Sequence, residues 1–211
     1  MKLYHGTCDT IDRFDIYDHM GMNTGNNGGA IFLTSSPLVA SAYSRESFIR
    51  KNEYNDDYKP VEDIVTDAWN QQHIYEVDVD TTNALELDIR TVYNKWFKEH
   101  QHRDDVVDAN LLNHIINILQ NRCYERNMEC FDEKTDWRAL EILMPYLEEY
   151  DEEQDEYIEK DVYYNCIIVK NCIDSIDDES HWIQSDIVAV LDENILRNVK
   201  YISSEDIDNL I

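Results

Sequence analysis

Glycine is almost missing from this chain. There are 5 in 211 residues (Gly6, Gly21, Gly25, Gly28 and Gly29), and none lies beyond residue 29. A phosphate-cradling P-loop and a dinucleotide-binding strand–helix fingerprint each need several glycines at fixed spacing before a helix, and neither pattern is present. Only the first 29 residues offer backbone that a ligand can approach without meeting Cβ atoms. Proline numbers 3, and no Pro/Gly-rich linker divides the chain. The five cysteines, Cys8, Cys123, Cys130, Cys166 and Cys172, are odd in number and form no CxxC. They read as reduced thiols, not as a disulfide frame or a zinc site. The seven histidines show no metal-ligand spacing, and no GxSxG marks a nucleophile, so no metal is expected.

Basic residues are also scarce: 18 Lys and Arg stand against 45 Asp and Glu, a net charge of −27. Direct binding of a nucleic-acid backbone needs a basic footprint and is not expected. High solubility is expected, and any electrostatically steered partner should be basic. No apolar run approaches the ~18 residues of a membrane helix. Met1-Lys2-Leu3-Tyr4-His5-Gly6 has no apolar signal core, so the reading is a cytoplasmic protein without a membrane partner.

Hydrophobic residues make up 43% of the chain, enough for a proper core. Strand candidates are 1–4, 30–34, 73–79, 84–87, 166–169 and 186–191. Tyr75, Val77 and Val79 alternate on one face. Ser36 as cap and Pro37 at the first helical position predict a helix through Tyr43. A weak helix is expected over 61–69, a long one over 91–122 and another over 137–147. Residues 8–29 and 171–184 read as polar loops. The acidic run 148–161 reads as a solvated helix face or a mobile loop. Strands at both ends and helix in the middle predict one α+β domain over 1–211, with 91–161 as a helical, acidic insertion.

Four segments carry chemistry. They are Tyr4-His5-Gly6-Thr7; Gly29-Ala30-Ile31-Phe32-Leu33 with Ala40-Ser41-Ala42-Tyr43; Tyr163 to Asn171; and Ser185 to Asp192. In this order they resemble the ADP-ribosyltransferase superfamily, in its diphtheria-toxin-like and poly(ADP-ribose)-polymerase-like branch. They are most similar to the small phage and bacterial polyvalent-protein-type members. The step from Phe32 to Tyr43 matches that between the two nicotinamide-facing aromatics of the polymerase branch. About half the chain is covered; residues 91–161 are not.

The resemblance implies a split, mostly antiparallel two-sheet core with the helical subdomain inserted. It also implies NAD as co-substrate, transfer of ADP-ribose to a macromolecule, and release of nicotinamide. His5, with Thr7, would bond the adenosine ribose. Gly6 backbone would bond the nicotinamide amide, and Phe32 and Tyr43 would flank the ring. A carboxylate at the start of the last core strand would stabilise positive charge developing on the ribose. The family usually has Glu there. Here Asp186 is the first choice, Gln184 a second through a Q-x-D arrangement, and Asp174 in the preceding loop a third. Asp in place of Glu implies mono-ADP-ribosyl transfer rather than polymerisation. The family's biology implies a phage or bacterial effector or toxin acting on a protein with a basic surface. Two other readings stay open: an NAD glycohydrolase toxin with water as acceptor, and a non-enzymatic acidic mimic of nucleic acid that occupies a basic partner.

Overall fold

The computed structural model describes residues 1–16, 30–53, 61–88, 109–124, 137–152, 154–175 and 182–207. The glycine-rich stretch 17–29 and the 91–108 part of the expected long helix lie outside the described residues. In chain order the elements are β1 (Lys2–Thr7), β2 (Ile31–Thr34), α1 (Pro37–Glu53), α2 (Val61–Asn70), β3 (His73–Val79) and β4 (Ala84–Asp88). They continue as α3 (Ala109–Tyr124), α4 (Trp137–Leu147), β5 (Glu148–Asp151), β6 (Glu156–Glu159), β7 (Cys166–Ser175), β8 (Trp182–Val190), β9 (Leu196–Ile202) and a single turn, α5 (Ser204–Ile207).

Seven strands form one sheet in the order β4-β7-β8-β2-β1-β3-β9, and β5 and β6 form a separate hairpin. Every neighbouring pair in the large sheet is antiparallel except β4 with β7. Where two sheets are expected, the seven strands are hydrogen-bonded into one, but the join at its middle is narrow. β1 and β2 pair only at Tyr4–Thr34. By contrast, β1 pairs with β3 along its whole length, and β2 with β8 likewise. Two half-sheets thus meet at one point.

Side chains alternate across the sheet, and both faces are apolar. On one face, Phe32, Ala189, Ile187, Ile167, Val169, Leu85 and Leu87 pack under α3 and α4 through Ile115, Ile116, Leu119, Ala139 and Leu143. The helices of the acidic middle therefore complete the core of the sheet. Helix α1 lies on the same face over the other half-sheet, where Ala40 packs with Ile74, Ile202, Ile207 and Tyr4. On the opposite face Leu3, Leu33, Val77, Ile168, Val188 and Val190 pack with Phe14, Ile16 and Ile195.

Helix α1 starts as its sequence predicts. The Val39 amide donates to Ser36 Oγ at 3.4 Å, and Pro37, which has no amide hydrogen, occupies the first position. It runs a further ten residues past Tyr43, through charged sequence. The acidic run is not a helix face or a featureless loop: 148–159 forms a tight hairpin, with Tyr150 opposite Tyr157. Strand β9 is unanticipated. It is exposed along most of its length, so it lacks the alternation that marks a half-buried strand. Strands β7 and β8 also run beyond their apolar centres, through residues expected to form a polar loop. Ladder pairs Cys172–Ser185, Ile173–Gln184 and Asp174–Ile183 carry them on.

Candidate functional site

The site grows from the narrow join. Beyond Tyr4 the β1–β2 ladder ends, and a side chain takes over. His5 Nδ1 lies 2.8 Å from the Phe32 carbonyl oxygen. A carbonyl only accepts, so Nδ1 carries the proton and donates. The ring also meets Phe14 edge to face, with centroids 5.3 Å apart. His5 thus occupies the point where the half-sheets part.

Gly6 follows for a steric reason. A Cβ there would stand 1.7 Å from the Ala40 carbonyl oxygen of α1, so only glycine lets the helix lie this close to the strand. Three of the four buried side chains of α1 among the described residues are correspondingly small, Ala40, Ser41 and Ser44; the fourth is Val39. Ser44 Oγ donates to the Thr7 carbonyl at 2.5 Å and accepts from the His73 amide at 3.1 Å, tying α1 to the ends of β1 and β3. Thr7 Oγ1 accepts from the Asp9 amide at 3.2 Å. Tyr43 precedes Ser44 and lies three residues after Ala40, so the helix holds it beside the Gly6–Thr7 end. Phe32 lies on the same side of the sheet as Gly6, partly buried against the α3–α4 core.

A second cluster surrounds Asp186 on β8. A bulge in β7 shifts the register between Val169–Ile187 and Cys172–Ser185, with Asn171 at φ 59°. The bulge places two β7 residues against one carboxylate. The Asn171 amide donates to Asp186 Oδ1 at 3.1 Å, and Lys170 Nζ lies 3.4 Å from Oδ2. Ser35 holds the backbone of Asp186: Ser35 Oγ accepts from the Asp186 amide at 2.8 Å, and the Ser35 amide donates to the Asp186 carbonyl at 2.9 Å. Gln184 Nε2 donates to Asn171 Oδ1 at 2.5 Å. The carboxylate is therefore oriented and half-buried, with a lysine as counter-ion.

The ladders relate the two clusters. Ile187, Thr34 and Tyr4 form one row across β8, β2 and β1. Asp186 precedes this row and His5 follows it, so both lie on the face opposite α1. Two strand spacings and two residues of rise separate them by roughly 12 Å between Cα atoms. That excludes a directly bonded pair, and on β2 the buried Leu33 stands between their strands on the same face.

His5, Thr7, Gln184 and Asp186 thus lie on one face of the sheet, two strands apart, whereas Phe32 and helix α1, which carries Tyr43, lie on the opposite face with Gly6. Asp174 departs from expectation. It belongs to strand β7 rather than to a loop, and it pairs with Ile183, out of phase with Gln184 and Asp186. Lys170 and Asn171 close the segment that resembles the family, but their contact with Asp186 is not legible there, because a bulge is not written in residue type. Phe14 falls in a stretch expected to be a polar loop but is buried in the core, and Tyr75 reads only as the inward face of a strand. Among the described residues no group of three or more His, Cys, Asp or Glu is placed to hold a metal ion. Two buried polar atoms near these clusters have no hydrogen-bond partner: Nδ1 of His73, across the ladder from Thr7, and Oγ of Ser185.

Comparison with protein-family models, with curated proteins and with solved structures returns no match.

Proposed function

We propose that this chain is an NAD-dependent mono-ADP-ribosyltransferase acting on a macromolecule, a protein with a basic surface. The observation that carries the reading lies at the β1–β2 join. His5 and Asp186, from segments far apart in sequence, stand on one face of the sheet on either side of that join.

The chemistry asks for few parts. The bond between ribose C1′ and the nicotinamide nitrogen breaks with its electron pair leaving on nicotinamide, and positive charge develops on the ribose. Asp186 supplies fixed negative charge for that cation, oriented by the Asn171 amide. Lys170 offsets part of this charge, so the effect of Asp186 depends on the pair. His5 would bond a ribose hydroxyl. An acceptor nucleophile on the target then bonds C1′ and gives up its proton. The net charge of −27 draws a basic target towards the enzyme. In the cell such an enzyme acts as an effector that alters a host protein.

Nicotinamide release from NAD, with and without cell lysate, tests this reading. His5→Ala and Asp186→Ala should each lower release by about 100-fold or more while the protein stays folded. Label from NAD should appear on lysate protein. Release without labelled protein would point to glycohydrolysis. Wild-type protein with neither release nor calorimetric NAD binding would overturn the proposal in favour of a non-enzymatic acidic binder.

A further inference from the structure

The ring of His5 is held from the side away from Phe32 by residues that the proposed chemistry does not use. Tyr75 on β3 is the ladder partner of His5 and is 4% exposed. Its hydroxyl oxygen accepts from the Ile11 amide at 2.7 Å. Ile11 opens a short strap that follows β1 and crosses the sheet face, with Phe14 and Ile16 each 6% exposed. Phe14 stands edge-on to both neighbours, its centroid 5.3 Å from that of His5 and 5.8 Å from that of Tyr75. Three rings and one clasp are therefore linked: Tyr75 pins the strap, the strap seats Phe14, and Phe14 bounds the imidazole, while Tyr75 also meets Tyr201 edge to face at 5.6 Å.

We infer that Tyr75 is a positioning residue for His5. Its hydroxyl clasps the strap that lays Phe14 against the imidazole, keeping Nδ1–H on the Phe32 carbonyl and the ring in one orientation toward a hydroxyl-bearing substrate such as ribose. The role at the substrate rests on the NAD reading above; the clasp itself does not. Its logic is that of a histidine whose tautomer is set by the hydrogen bond at its other nitrogen. An imidazole freed to rotate would lose the Phe32 bond and present either nitrogen. A merely structural tyrosine predicts something else: loss of its hydroxyl would lower stability and leave the His5 tautomer unchanged.

Tyr75→Phe removes the clasp and keeps the ring. Phe14→Leu keeps apolar volume and removes the aromatic edge, and it serves as a second variant if the first fails to fold. Two readouts are taken on the full chain. Long-range 15N–1H spectra of the imidazole, assigned with His5→Ala, report the tautomer. NAD kinetics report KM and kcat. The wild-type ring is expected as the Nδ1–H form, and either variant as a mixture of tautomers. The KM for NAD should rise about tenfold with kcat nearly unchanged, the size of one lost hydrogen bond. A His5 signature and KM unchanged in both variants would overturn the inference. If wild-type protein binds no NAD, the NAD reading fails. The spectra then decide the clasp alone: a tautomer shift supports it, and an unchanged ring sinks it.

Discussion

At the scale of single residues, Gly6 is required by a neighbour, not by its own backbone. The Ala40 carbonyl occupies the place of its missing side chain, and backbone cannot yield as a flexible side chain can. Gly6→Ala should therefore destabilise the protein by about 3 kcal/mol or more, at the upper end of overpacking costs, as read by denaturant midpoint. An unchanged midpoint would mean that α1 sits further from β1. A second residue effect is a pH dependence. Burial, aided by the charge of Asp80, pushes the Cys166 thiol up to about 11 from an ordinary 9.0. Below pH 9 both the folded and the unfolded thiol are protonated, and the stabilising contribution is complete. As pH rises towards 11 the unfolded thiol ionises while the folded one resists, so stability falls. Wild-type protein should lose more stability than Cys166→Ala between pH 9 and 11, and parallel curves would refute this.

At the scale of elements, the β5–β6 hairpin stands outside the main sheet. It is tied to the end of α4 by the Lys160 amide on the Leu147 carbonyl and Lys160 Nζ on the Pro145 carbonyl. Tyr150 and Tyr157 stack at its surface among carboxylates. Replacing residues 150–157 with a short Gly-Ser turn should leave nicotinamide release unchanged, because among the described residues the hairpin is tied to α4 and belongs to a sheet separate from the one that carries His5 and Asp186. Loss of release would place the hairpin in the chemistry. The hairpin also shows where pattern reading stops. Strand β3 was legible because Tyr75, Val77 and Val79 alternate against a core, and α1 because Ser36 and Pro37 write its start. In β5–β6 and β9 the residues meet solvent on most positions, so tertiary pairing alone sets their state. The site divides in the same way. His5, Gly6 and Tyr43 were legible as a motif. The strap, the clasp and the β7 bulge depend on residues that meet only after folding.

At the scale of the whole molecule, charge opposes compaction. With −27 on 211 residues, the folded chain repels itself more strongly than the expanded one. Raising ionic strength from about 0.01 to about 0.15 M shortens the screening length from about 30 to about 8 Å and should raise the thermal midpoint. A midpoint that falls with added salt would mean that ion pairs outweigh repulsion. The Lys51–Asp9 pair is exposed on both sides and Lys2–Glu76 on its lysine side, where such contacts stabilise little.

The strand order also dictates a calendar for synthesis. Strand β2 leaves the ribosome early, yet its long ladder partner, β8, is made only after most of the chain. The half-sheet β1–β3 has its partners much sooner, and β9 joins it last. For most of translation, then, Ile31 and Leu33 wait beside β1 with one pair to hold them, while a finished neighbour stands ready. Non-local pairing of this kind is slow and leaves sticky edges open. The nascent chain is thus at its most vulnerable just before β8 emerges, and a stall in that window would leave β2 as bait for chaperones.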